Sequence, residues 1–484
     1  MRWGDWLLVD DGVDPPSLRR SGPRSVVHRA SGKTLLMAPP VGWFGTPVRE
    51  IRVDGGRLWL FGDSSRDDAV IARAAAGGDA SGLGGRFLLL SCRDGVFEAV
   101  TDRFNTLHAY ALDGGRAASS SFLAVSALSR RRLDWPALVS FFACGFFLGE
   151  GTYWDDVRCL GPARRHRLSG ESGESGWSEE ARSERYWRWR HAPESDRPTS
   201  ETVDAFGEIF NRVVVDATAG GVVALPLSGG LDSRALCAAA PASEVSWSFG
   251  YGYQPGSVEV KIAERLARTR GLPFEGIVIE PYLHRWIDRG FDLLEGFQDL
   301  TQTRQLAVVN TLGTRAERVL AGHWGDVWLD DMGLGAVAPD DDAAVLARAL
   351  GKLRKRGRAW LLEHLCAPAL GDDPEALLEA QVAEALEPYR DLEEADFRLK
   401  AFKTDHWSSR WTVSSVRAYQ ASTWPLLPFY DPRLADFFAT VPADQLEDRR
   451  LEIDYLTRFA PDLARVPWQE TGAPLGRSRR RAYW

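Results

Sequence analysis

No two of the five cysteines (Cys92, Cys144, Cys159, Cys237, Cys366) form a CxxC pair or fall at a metal-ligand spacing. That excludes a zinc ribbon and a disulfide-stapled scaffold, and an odd, scattered set predicts reduced thiols in a cytosolic protein. Long apolar runs are also lacking. The longest, LVSFFACGFFLG at 138–149, is far short of the ~20 residues that a membrane span needs and predicts a buried helix. The opening MRWGDWLLVDDG carries acidic residues and no apolar h-region, so no signal peptide is expected. Positive charge is in deficit, with a net charge of -8 and a pI near 5.7. The short basic end Arg477–Arg481 does not reverse that balance, so nucleic acid is not an expected partner. Residues 340–470 carry no repeat and no low-complexity tract. A soluble cytoplasmic protein without a membrane partner is the expectation.

What the chain does have is enough apolar sequence for full cores: 44% hydrophobic against 26% charged residues over 484 positions, which predicts two or three domains. Residues 1 to about 125 read as short strands, among them LWLFGD, GRFLLLSCRDGVFEAVTDR and SFLAVSAL, separated by Gly, Asp and Ser turns. Residues 134–150 read as a helix and 155–168 as a short extended hairpin. The Gly/Ser/Glu-rich stretch 170–185 marks a boundary, with the linker ending near 200. Beyond it the texture alternates. A helix at TVDAFGEIFNRVVVDAT is followed by strand GVVALPL, helix RALCAAA, strand VSWSFG and helix SVEVKIAERLARTRG. The strands FEGIVI and RVLAGH (318–323) come next. Strands alternating with crossover helices predict a doubly wound parallel α/β sheet, in which ligands sit at the carboxyl ends of the strands. Residues 340–470 read as mostly helical. The domains expected are 1–190 and 200–484.

The segment Ser228-Gly229-Gly230-Leu231-Asp232-Ser233 follows the buried strand and opens a helix. Adjacent glycines let the backbone turn tightly and approach an anion without a Cβ in the way. The amides of the next helix then face that anion, and Ser228 and Ser233 add hydroxyl donors. An aspartate inside a phosphate loop repels its ligand unless a divalent cation bridges them, so Asp232 implies Mg²⁺. Without Gly-Lys-Ser/Thr, the loop is not a Walker A cradle.

SGGLDS resembles the pyrophosphate loop of the N-type ATP pyrophosphatases, in the context of the asparagine synthetase family. Further stretches carry the same resemblance. GRFLLLSCRDGVFEAVTDRFNTLHAYA, with Asp102, Arg103 and Phe104, is similar to the family's glutaminase domain. SFGYGYQPGSVEVKIAERLARTRGLPF places Glu259 at an acidic helix start. RVLAGHWGDVWLDD puts Asp326 where the family has a second metal-facing carboxylate, with Val327 replacing its glutamate. Pro428, Phe429, Tyr430 and Asp431 match a Pro-Phe-Leu-Asp element of architectural character. The resemblance implies an N-terminal Ntn-type α-β-β-α sandwich, a C-terminal synthetase domain with a helical extension, and ATP with Mg²⁺. It implies nucleotide contacts from Leu227, Ser228, Gly229, Gly230, Leu231, Asp232, Ser233, Ser248, Gly322 and His323, and metal contacts from Asp232 and Asp326.

Glutamine-using members begin, after the initiator methionine, with a cysteine that hydrolyses glutamine. Here Arg2 and Trp3 stand in that region and no cysteine precedes Cys92, so a degenerate, inert glutaminase-like domain is expected. Members without the cysteine include β-lactam and carbapenam synthetases and lasso peptide cyclases. They adenylate a carboxylate and close a ring onto an amine of the same substrate. An ATP-dependent amide-forming ligase or cyclase that yields AMP and pyrophosphate is therefore the expected activity. Its partner would be a small molecule or peptide bearing a carboxylate, with a precursor peptide or companion maturation protein alongside it. Ammonia-dependent amidation (or amidation fed by a partner glutaminase) and a non-catalytic ATP-binding role are the alternatives. The ring-closers' glutamate ahead of the Pro-Phe-Leu-Asp element is missing from Trp424-Pro425-Leu426-Leu427, and their lysine in the following helix from Leu451-Glu452-Ile453-Asp454. Asp232 with Arg449 and Arg417 are the catalytic candidates, and Arg450 and Lys403 are further basic ones. Trp407, Trp411, Trp424 and Trp468 suggest an indole-lined cleft, and His323 a hydrogen bond to the adenylate.

Overall fold

The computed structural model describes residues 5–14, 25–38, 46–169 and 183–476. Arg2, Trp3, most of the linker (170–182) and the basic end Arg477–Arg481 lie outside them. By internal packing the chain forms two units. Unit 1 takes Met1–Arg188, Asp292–Asp299 and Val337–Ser414, and unit 2 takes Trp189–Phe291, Leu300–Ala336 and Ser415–Trp484. Two segments that a linear reading gives to the second domain, 292–299 and 337–414, thus group with unit 1. The helices within 342–386 pack against the apolar helix Trp135–Cys144, which explains their return.

Unit 1 contains two six-stranded antiparallel sheets. The strands in chain order are β1 (Trp6–Asp10), β2 (Ser25–Ala30), β3 (Lys33–Met37), β4 (Val48–Val53), β5 (Gly56–Gly62), β6 (Phe87–Arg93), β7 (Val96–Thr101), β8 (Tyr110–Leu112), β9 (Ala117–Ser119), β10 (Val157–Cys159), β11 (Arg164–Arg167) and β12 (Ser183–Arg185). One sheet runs β10-β8-β9-β1-β3-β2 and the other β12-β11-β7-β6-β5-β4. Side chains alternate between two buried faces. On β1, Trp6 and Leu8 join a core shared with Trp59, Phe61, Leu88 and Leu90 of the other sheet. Leu7 and Val9 point to the opposite face and pack with Phe122, Leu138 and Phe147. On β5 and β6, Leu58, Leu60, Phe87 and Leu89 meet Ile71 and Ala74 of the helix Asp68–Ala75. Strands covered on both faces need apolar residues at every position, hence the unbroken runs LWLF and FLLL. Truncating Leu90, fully buried here, to alanine costs about 2–5 kcal/mol.

The hairpin expected at 155–168 does not form. β10 pairs with β8 in one sheet and β11 with β7 in the other. The chain crosses between sheets at Leu160–Ala163, where Pro162 interrupts pairing and Ala163 takes a left-handed φ of 52°. The expected helix at 134–150 spans Trp135–Cys144 and stops at Gly145, whose φ of 82° closes it.

Unit 2 is built on a five-stranded, all-parallel sheet: β13 (Val223–Pro226), β14 (Val245–Gly252), β15 (Phe274–Val278), β16 (Arg318–Leu320) and β17 (Trp424–Leu426). The order is β15-β14-β13-β16-β17. Counting outward from β13, the chain first builds one side of the sheet and then the other. The strand order therefore reverses between β13 and β16, which is where open α/β sheets leave a crevice at their carboxyl ends. β17 is an edge strand of three residues with Pro425 at its centre, and sequence reasoning did not find it. Among the described residues, no helix is long and apolar enough to cross a membrane.

Candidate functional site

The two loops that leave β13 and β16 meet at this reversal. β13 ends at Pro226, and the Leu227 amide still donates to Phe249 O at 2.7 Å, so pairing holds the backbone up to the loop itself. Ser228 then turns the chain. Its amide donates to Ser233 Oγ at 3.1 Å, the two serine hydroxyls lie 2.9 Å apart, and the Gly230 amide donates to Ser228 Oγ at 3.2 Å. Gly229 is required for space, because a Cβ there would stand 2.4 Å from Gln469 Oε1. At Gly230 the same atom would meet only Ser228 Oγ, at 3.3 Å. The helix Asp232–Ala239 begins without a side-chain cap from Leu231. Its first amides accordingly have no side-chain acceptor at the cap position.

Asp232 heads that helix. Its carboxylate pairs with the Arg449 guanidinium, which in turn lies 2.6 Å from Glu452 Oε2. The backbone amide of Asp326 also donates to Asp232. The turn after β16 is shaped around this side chain. A Cβ on Gly325 would lie 2.8 Å from Asp232 Cγ, and one on Gly322 3.4 Å from Asp232 Cβ. Trp324 between them holds a left-handed φ of 80° without being glycine, a strain costing about 1–3 kcal/mol and typical of functional turns. Asp448 and Arg449 are likewise left-handed, at 52° and 59°. Three strained residues thus bring the arginine and the second turn to one aspartate.

Electrostatically the cluster is over-supplied with acid. Burial pushes the Asp232 carboxyl up and the neighbouring Asp326 adds to the effect, while Arg449 opposes both. Glu452 is fully buried and its carboxyl is raised by burial and by Asp232, again against Arg449. Burial disfavours the charge on Arg449, yet Glu452 and Asp232 raise its pKa overall. Three carboxyl groups thus act on one guanidinium. Among the described residues no group of three or more His, Cys, Asp or Glu could hold a metal ion unaided.

The structure brings Ser228, Gly229, Gly230, Leu231, Asp232, Ser233, Gly322, Asp326 and Arg449 together. Ser248 is fully buried, and its hydroxyl donates to Pro273 O at 2.6 Å. Arg417 is buried at the end of the helix Val413–Arg417, and none of the interactions described for Asp232 involves it. Lys403 belongs to unit 1, its ammonium 5.1 Å from the Trp407 ring. Arg450 is half-exposed and pairs with Asp454 at 4.0 Å. The four tryptophans divide, Trp407 and Trp411 to unit 1 and Trp424 and Trp468 to unit 2. His323 has a pKa lowered to about 4 by burial, and its Nδ1 has no hydrogen-bond partner. Asp431 caps the helix Pro432–Phe438 by accepting from the Arg433 amide, an architectural role.

Three participants escaped sequence reasoning. Glu452 falls on the buried face with Leu451, Tyr455 and Leu456, and a helical projection would have exposed an acid among apolar neighbours. Arg234, also fully buried, donates to the carbonyls of Leu463, Val466 and Pro467 and so ties the C-terminal segment behind the loop. Arg304 stands 5.2 Å over the Tyr251 ring at the carboxyl end of β14, and burial disfavours its charge while Tyr251 and Glu259 favour it. No protein-family model matches the chain, and none of the curated proteins compared with it does.

Proposed function

We propose that the chain activates a carboxylate as its adenylate, splitting ATP into AMP and pyrophosphate, and passes the acyl group to an amine without hydrolysing glutamine. The carrying observation is the convergence of two turns on Asp232 at the reversal of a parallel sheet, one of them a glycine-serine loop opening an uncapped helix. On this reading the chain belongs with the asparagine synthetase-like enzymes. Its first unit is a glutaminase-like sandwich kept as scaffold, its second the synthetase domain.

The first-turn amides with Ser228 and Ser233 hold the leaving pyrophosphate. Asp232 and Asp326 would supply carboxylate oxygens to Mg²⁺, which when bound would offset charge on the phosphates. Arg449 is the cation nearest the reacting groups and stabilises charge developing on the α-phosphate. Arg304, at the end of β14, holds an anionic group of the substrate. The Arg449–Asp232 pair favours a second reading, a non-catalytic nucleotide binder, because the guanidinium already occupies the carboxylate.

Incubation with ATP, Mg²⁺ and a panel of amino acids and peptides separates the two. Pyrophosphate and AMP are expected, with no glutamate formed from glutamine. ADP and inorganic phosphate as products would refute the adenylation chemistry, and ATP binding without any turnover would favour the second reading.

A further inference from the structure

Unit 1 contains a cavity of about 220 Å³, and no residue of the nucleotide loop lines it. One wall is the segment Lys403–Thr412, which is wound more loosely than an α-helix, as a π-helix, a form concentrated at functional sites. That winding sends Asp405, His406, Ser409 and Arg410 to the cavity together. The facing wall comes from the crossing between the two sheets, with Asn105 beside it.

Arg410 is the decisive group. It is 4% exposed and donates to Gly149 O at 2.9 Å and Gly151 O at 2.8 Å, but no carboxylate pairs with it among the described residues. A buried cation without a counter-charge is costly, so proteins pair such groups or let a ligand pair them. The acids of the wall are already engaged. Asp405 pairs with Arg185 at 2.5 Å, accepts from the Tyr389 hydroxyl and has Arg188 at 3.7 Å. Glu150 lies 3.7 Å from Arg164.

Two other polar atoms of the cavity do lack hydrogen-bond partners. Asn105, 1% exposed, donates through Nδ2 to Leu160 O at 2.7 Å, but its Oδ1 accepts nothing. His406 Nδ1 is likewise unpartnered. Buried polar atoms are rarely left so, and two of them beside a buried cation without a counter-charge call for a common occupant. Its size falls below the roughly 300 Å³ of drug-sized pockets. Asp405 and Glu150 would repel a second negative charge on the ligand.

We propose that this cavity binds a small carboxylate monoanion carrying its own hydrogen-bond donor, an amino or hydroxy acid, with the carboxylate on Arg410 and the donor on Asn105 Oδ1. The site is separate from the adenylation site and does not depend on that reading.

Calorimetry and thermal shift on the full chain without ATP test it, using glycine, L-serine, L-lactate, acetate and phosphate at about 10 mM. Glycine, serine or lactate should raise Tm by about 1–2 °C and bind more tightly than acetate, which lacks the donor, or phosphate. Arg410→Gln and Asn105→Gly should each weaken that binding about tenfold, while Asp232→Asn leaves it unchanged. Asn105 already has a φ of 52°, so glycine preserves the backbone and decides the matter if Arg410→Gln fails to fold. The proposal is overturned if no probe binds, if phosphate binds best, or if binding survives Asn105→Gly but is lost with Asp232→Asn.

Discussion

Each unit holds an aspartate in a turn that follows a strand, and the two are treated in opposite ways. Asp102, after β7, is almost fully buried. It accepts from the amides of Phe87, Phe104 and Thr106 and from the Thr106 hydroxyl. Its donors belong to its own turn and the neighbouring strand. Asp232, after β13, leans on an arginine from a strained segment over two hundred residues away and is crowded by two other acids. An aspartate whose lone pairs are filled by nearby backbone holds a shape. One whose charge is left in excess is available to a ligand.

The largest effect that would break this comparison is on turnover. Asp232→Asn keeps the volume and removes the charge that a divalent cation needs. Pyrophosphate release should fall about a thousandfold, some 4 kcal/mol in transition-state terms. The melting temperature should hold or rise, because repulsion with Asp326 and Glu452 is relieved. A large loss of stability with activity retained would place Asp232 in the same class as Asp102.

Asp102→Ala should do the reverse. Three amides and a hydroxyl lose their acceptor inside the fold, at a cost of about 3 kcal/mol in denaturant unfolding. Pyrophosphate release by the fraction still folded should match the parent. Activity loss at undiminished stability would contradict the structural role.

Glu452→Gln is a finer test of the excess charge. Without the second acid, Arg449 settles on Asp232 alone and neutralises the carboxylate that faces the phosphates. Turnover should drop about thirtyfold, roughly 2 kcal/mol, with little change in melting temperature. Unchanged turnover would mean that Glu452 serves the packing of its helix and nothing more.

How far all this was legible follows from the range of the interactions. The Ser228–Ser233 loop, β13 to β15 and the helices between them are local patterns, and period, glycines and caps place them. The acid–arginine cluster is not local. Asp232, Asp326 and Arg449 were separately named as candidates, but nothing in a linear reading says that Gly325 must lack a side chain to admit Asp232. Glu452 escapes a linear reading because the family pattern directs attention in its stretch to a lysine, not an acid. The failed hairpin at 155–168 has a similar origin: two extended stretches joined by a short link look alike whether they pair together or enter different sheets. The return of 337–414 to unit 1 depends on which apolar helix faces meet, and a helix's own sequence does not name its partner.

The smallest expected effect is one of pH, and it sharpens the comparison from the unit 1 side. His166, on β11 beside the Asp102 turn, is 5% exposed, and burial lowers its pKa to about 3. A free histidine in the unfolded chain titrates near 6.5. Between those values the unfolded state binds a proton that the folded state cannot, so stability is complete above the unfolded pKa and falls as the pH is lowered. At about pH 5.5 the single histidine costs about 1.4 kcal/mol relative to neutral solution. His406, lowered to about 4, acts in the same direction. His166→Gln keeps an N–H donor near Gly161 O, 3.4 Å from the ring nitrogen, without the titrating proton. Urea midpoints for this variant at about pH 7.5 and 5.5 should therefore lie closer together than those of the parent, by the share of one histidine. If both proteins lost the same stability between those pH values, the buried polar groups of unit 1 would not be the rigid, uncharged framework that sets it apart from the cluster around Asp232.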